Sequence, residues 1–129
     1  MVGGAPTLSV GIEEEYLLVD LETRALATDP PREFFDECYS RLGDQAAHEF
    51  LKSQIEVNTA VAQSIPEATE MLIDLRTAIV ETAHKYNLTP IAASTHPFSH
   101  WSEQGHTEQE RYHTIAHDMQ AVVRRLVIS

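Results

Sequence analysis

Between Leu8 and Asp20 the chain reads Leu-Ser-Val-Gly-Ile-Glu-Glu-Glu-Tyr-Leu-Leu-Val-Asp, and this run limits what the molecule can fold into more than any other. Its residues favour a strand, in which successive side chains point to opposite faces. Alternation places Ser9, Gly11, Glu13 and Glu15 on one face and Leu8, Val10, Ile12 and Leu18 on the other. The strand therefore has an acidic face and an apolar face that must find a core. Two carboxylates two residues apart repel each other, and both stay ionised only beside a cation, arginines or free water. A bound divalent metal and a solvated edge strand both meet that requirement, and the pattern alone leaves the two open. Glu14 falls on the apolar face and needs a basic or hydrogen-bonding partner from elsewhere in the chain.

A second strand is expected over Lys52 to Thr59, where Gln54, Glu56 and Asn58 alternate with Ile55, Val57 and Thr59. If it pairs with the first strand in the right register, Glu56 joins Glu13 and Glu15 on one surface. Between the two, Arg24 to Ala27 reads as a weak returning strand. Asp29-Pro30-Pro31 then reads as a helix start, with Phe34, Phe35, Cys38 and Leu42 on one stripe and Gly43 as its stop. Ala46 to Leu51 is expected as a further short turn of helix. Ser64-Ile65-Pro66-Glu67 opens a long helix whose apolar stripe is Ala68, Leu72, Leu75, Ile79, Ala83 and Tyr86, with Asn87 at its end. Pro90 to Ser94 is expected as a short strand, followed by the polar and aromatic loop Thr95-His96-Pro97-Phe98-Ser99-His100-Trp101. Thr107-Glu108-Gln109-Glu110 matches a capping box, and the helix it starts runs to Ser129 without a stop signal, as in a chain that continues. Residues 1–7, with two glycines and a proline, are expected as a flexible lead-in.

Strands and helices follow one another along an acidic domain. A length of 129 residues suits one domain. The formal net charge of -11 argues against nucleic acid or an anionic membrane surface as partner, and a polyanion such as ATP must arrive with its metal. The single cysteine, Cys38, excludes an intramolecular disulfide and suits a reducing cytosol, so a cytoplasmic location is expected. Its place on a buried stripe makes it a structural thiol rather than a nucleophile. Carboxylates without thiols or closely spaced histidines suit Mg2+ or Mn2+ better than zinc. His96 and His100 could act as ligands or lie on the surface. The chain has neither a glycine-rich phosphate loop nor a Gly-x-Ser-x-Gly elbow. An enzyme using a carboxylate-bound metal, such as a metal-dependent hydrolase, and a non-catalytic acidic α/β binding domain both remain open from the pattern.

Four segments together carry more information. Gly11-Ile12-Glu13-Glu14-Glu15-Tyr16, Gln54-Ile55-Glu56-Val57-Asn58-Thr59, Ala93-Ser94-Thr95-His96-Pro97-Phe98 and Arg111-Tyr112 occur in an order and spacing that resemble the carboxylate-amine ligases, the type 2 glutamate-cysteine ligases. The resemblance covers Leu8 to Ser129. It implies that residues 8–129 are the N-terminal portion of a single ligase catalytic domain with an α+β, glutamine-synthetase-like fold, in which an antiparallel sheet packed with helices curves around ATP and divalent metals. Family members continue past this helix into a Gly-Met-His-Val-His type segment. Residue by residue, it implies Glu13, Glu15 and Glu56 as metal ligands for Mg2+ or Mn2+, and Thr95 on the loop beside the nucleotide cofactor. It further implies His96 and Arg111 in catalysis, Arg111 by binding a carboxylate or phosphate. The implied reaction activates a carboxylate, such as the γ-carboxylate of glutamate, as an acyl phosphate, which an amine such as that of cysteine attacks. The substrates are thus small molecules. An open sheet edge and an apolar stripe on the last helix lead to an expectation of self-association into a homo-oligomer.

Overall fold

The structure, a computed structural model, describes residues 8–108. The lead-in, the helix expected after Thr107 and Arg111 lie outside the described residues. Four antiparallel strands form one sheet: β1 (Glu13–Asp20), β2 (Ala46–His48), β3 (Gln54–Asn58) and β4 (Leu88–Ile91), in the order β2-β3-β1-β4. Helix α1 (Arg32–Leu42) connects β1 to β2, and helix α2 (Ile65–His84) connects β3 to β4. Both helices pack on the same face of the sheet, so the architecture is α+β in two layers.

The core follows from alternation along β1. Tyr16 and Leu18 point to the helices and join Phe34, Phe35 and Cys38 of α1, Leu75, Ile79 and Ala83 of α2, and Ile55 and Val57 of β3. The opposite face splits in two. Leu17 and Val19 gather Leu26, Phe50 and Leu51 into a second, smaller cluster at one end of the sheet. Glu13 and Glu15 occupy the other end of that face and are exposed. The expected apolar face is thus right for Leu18 but fails further upstream. Leu8 is 80% exposed, and Val10 pairs with Ala62 in an isolated bridge and is only partly buried.

Local chemistry sets the element ends. At the start of α2 the Ser64 hydroxyl accepts from the Glu67 N–H at 3.3 Å, while Glu67 Oε2 accepts from the Gln63 N–H at 2.7 Å. α1 ends where Gly43 takes a φ of 61°, but it begins at Pro31 without a side-chain cap. Asp29, at the expected helix start, pairs with Lys52 at 3.2 Å instead of capping the helix. Cys38 is buried, and burial pushes its thiol up to about 12.

Three expected elements differ. Ala46 to Leu51 is not helical: a 3-10 turn at Gly43–Gln45 leads into β2, which pairs with β3. The short segment has no helical apolar spacing to defend, and ladder pairing satisfies its backbone. The last strand lies earlier than Pro90 to Ser94, at Leu88–Ile91. Pro90 is tolerated because it stands opposite Leu18 on an edge strand. The Leu18 N–H is donated toward Ser53, on the β3 side, so the missing proline donor faces outward. Arg24 to Ala27 returns along β1 as a single bridge, Val19 to Leu26, rather than as a strand.

Candidate metal centre

Glu15 and Glu56 are direct cross-strand partners, and Ala47 of β2 stands on the other side of Glu56. Two residues beyond Ala47, alternation brings the Glu49 side chain to the same face. One carboxylate oxygen from each of Glu15, Glu49 and Glu56 lies within 4.8 Å of the others, the one such cluster among the described residues. Glu13 lies one step along, opposite Asn58 on the same face, and adds its charge without belonging to the three.

The electrostatics are unfavourable until something positive arrives. Glu15 is pushed above the ordinary carboxylate range first by burial and then by Glu49 and Glu13. Glu56 is raised in the same way, by burial, by a hydrogen bond with Glu49 and by the charges of Glu49, Glu13 and Glu15. Burial and like charge both favour the protonated form of Glu15 and Glu56 until a cation compensates them. The donor set is three carboxylates with no imidazole or thiol, which fits a hard divalent cation such as Mg2+ or Mn2+.

The opposite face of β1 is neutralised internally. Arg76 of α2 donates from Nε to Glu14 Oε2 at 2.9 Å and from Nη2 to Glu14 Oε1, while the Tyr16 hydroxyl donates to Oε2. Arg76 therefore holds the Glu14 carboxyl below the usual range, and burial with the Glu14 contact lifts the Tyr16 phenol to about 12. This is the partner that the position of Glu14 demanded.

The loop after β4 diverges from β1 beyond the Leu17 to Ile91 pair and leaves a cavity of about 270 Å³ lined by Glu14, Glu15, Tyr16, Ala92, Ala93 and Ser94. Thr95 is exposed on this loop. His96, by contrast, is 2% exposed, with Nε2 3.0 Å from the Arg24 carbonyl and Nδ1 accepting from the Ser99 N–H at 3.2 Å. An accepting Nδ1 makes the Nε2–H tautomer the donor to Arg24. Both ring nitrogens are hydrogen-bonded to backbone, so His96 fastens the loop to the turn after β1. His100 hydrogen-bonds Ser102 at 2.7 Å in the following turn.

Glu49 is the residue that sequence reasoning missed. No local signal marked it: neither Ala47, Glu49 and Leu51 nor His48 and Phe50 is uniformly polar or apolar, and it is the pairing of β2 with β3 that brings Glu49 to the site.

Comparison with known proteins adds independent information. The family described as Glutamate-cysteine ligase family 2 matches residues 9–129. Relatives named "Putative glutamate-cysteine ligase 2" include one from Rhodospirillum rubrum, 52% identical over 127 residues, covering 95% of this chain and 33% of the relative. Another, from Jannaschia sp., is 45% identical over 120 residues, covering 93% and 32%. One from Paracoccus denitrificans is 42% identical over 123 residues, covering 95% and 32%. The chain thus spans about a third of the length of the curated relatives it matches.

Proposed function

We propose that this chain, which belongs to glutamate-cysteine ligase family 2, supplies the metal-binding face of an enzyme that joins a carboxylate to an amine using ATP. The observation that carries the reading is the Glu15, Glu49 and Glu56 cluster on the open face of the sheet, where three carboxylates converge and the charges acting on them are negative. The names of the relatives favour glutamate and cysteine as the pair joined. In this reading the γ-carboxylate of glutamate takes the terminal phosphoryl group of ATP, releasing ADP, and the cysteine amine displaces phosphate from the acyl phosphate. The fold of the whole enzyme is glutamine-synthetase-like, and its place is the cytoplasm, where ATP is available.

Each residue then has a task. Glu15, Glu49 and Glu56 would hold Mg2+ or Mn2+, and Glu13 adds negative potential that draws the cation to the face. When bound, the cation supplies neutralisation of the triphosphate and of the transferring phosphoryl group. The Arg76 clamp on Glu14 braces β1 from behind, so that the acids on its front share a fixed strand. His96 holds the loop that presents Thr95, which we assign to the nucleotide, and Arg111 we assign to a substrate carboxylate or phosphate.

The test is phosphate release from ATP by the full-length enzyme, with glutamate and cysteine present together, singly and not at all. Release that requires both supports the ligase. Release that ignores both identifies a metal-dependent hydrolase, and no release with intact cation binding identifies a binding domain.

A further inference from the structure

Glu15 and Glu56 are placed by ladder pairing, but Glu49 is not. The last pair of β2 is His48 with Ile55, so Glu49 stands one residue past the end of an edge strand. What holds it comes from a segment 58 residues away in sequence. The Thr107 hydroxyl donates to the Glu49 carbonyl at 2.5 Å, and the Thr107 N–H donates to the next carbonyl, Phe50, at 3.0 Å. The peptide between those two carbonyls is the one that touches the carboxylate, because the Phe50 N–H donates to Glu49 Oε1 at 2.9 Å. Thr107 is buried, and the contact around it is close: Lys52 N–H donates to the Gly105 carbonyl at 2.9 Å, and a Cβ at Gly105 would stand 3.0 Å from Lys52 Cδ. His106 packs its ring on Phe50 at 4.7 Å and bridges Leu51.

We propose that Thr107 is a positioning residue for the cation site, its hydroxyl fixing the Glu49 main chain so that the Glu49 carboxylate reaches Glu15 and Glu56. The inference rests on the reading of the cluster as a cation site. It makes the third ligand of that site conditional on a contact far along the chain, whereas the other two depend on the sheet alone. A hydrogen-bonded support behind a ligand is worth tenfold or more in metal affinity in comparable centres.

The test measures binding of Mn2+ alone, by calorimetry and electron paramagnetic resonance, on the full chain and on variants whose metal-free melting is recorded alongside. T107V keeps shape and removes the donor, and should raise the dissociation constant by about tenfold, with T107S restoring it to within about threefold. In an E49Q background T107V should change nothing further, since Thr107 acts through Glu49. If T107V does not fold, T107A carries the same comparison. Unchanged Mn2+ affinity in the hydroxyl-free variant overturns the positioning role. An equal loss in both backgrounds also overturns it, because that marks general loosening. If the unsubstituted chain and E56Q bind Mn2+ equally weakly, the cation-site reading itself fails, a result separable from the others.

Discussion

Glu15 and Glu56 stand directly opposite each other, and a like-charge cross-strand pair destabilises a sheet unless something offsets it. Without metal, the offset is protonation. Both groups have folded-state values raised above the ordinary 4.5, so their stabilising contribution is fully present below that value and is lost as pH rises through the raised values. Metal-free protein should therefore lose stability from this cluster above the ordinary carboxylate range, and added Mn2+ should restore it while releasing protons. E56Q removes one charge from the cluster. It should weaken Mn2+ binding by tenfold or more while changing metal-free stability by less than about 0.5 kcal/mol. Calorimetric titration beside denaturant melts checks this, and unfolding with intact affinity would make Glu56 structural. Glu14 has the opposite sign, because Arg76 lowers it: its contribution is present above 4.5 and lost as pH falls through the lowered value. R76M should cost no more than about 1 kcal/mol at neutral pH, with the difference from the parent shrinking in acid. The contrast between Glu14 and Glu49 shows what residue-level reading reaches. Strand alternation sufficed to say that Glu14 lacked a partner, whereas Glu49 became a candidate only once the strand end and its register were known.

At the level of elements, the regular ones were legible because their signals are local. The capped start of α2, the Gly43 stop of α1 and the alternation of β3 each need only a few neighbouring residues. β2 was not legible: three residues pair because β3 offers an edge, and no local propensity announces that. The loop that His96 fastens is likewise tertiary. Its ring joins the turn after β1, where Arg24 sits at φ 62°, to the Phe98 and Ser99 amides after β4. H96A should cost about 2 kcal/mol or more, since it strands buried backbone groups, and chemical denaturation would measure it. R24G should stabilise by up to about 1 kcal/mol, because glycine accepts the left-handed region without the Cβ penalty. If H96A leaves stability untouched, the histidine does not fasten the loop.

For the whole molecule, the distribution of apolar surface points to association. No helix among the described residues is long and apolar enough to cross a membrane. Ile65 and Ile73 on α2 are 66% and 55% exposed, Val61 just before the helix is 66% exposed, and Leu8, two residues before the Val10 to Ala62 bridge, is exposed as well. Removing one such side chain from water is worth about 1.5–3 kcal/mol when burial is complete. Several at once can offset part of the entropy of bringing two chains together, although a net charge of -11 opposes it. Screening that repulsion should strengthen the contact, so the 129-residue chain should self-associate, and more so as salt rises. Sedimentation velocity over a range of protein and salt concentrations would show it, and I73E should shift the chain toward monomer without altering Mn2+ affinity, because Ile73 lies on a helix covering the opposite face from the acids. A chain that stays monomeric at high protein and high salt would show that these exposed side chains do not form an association surface.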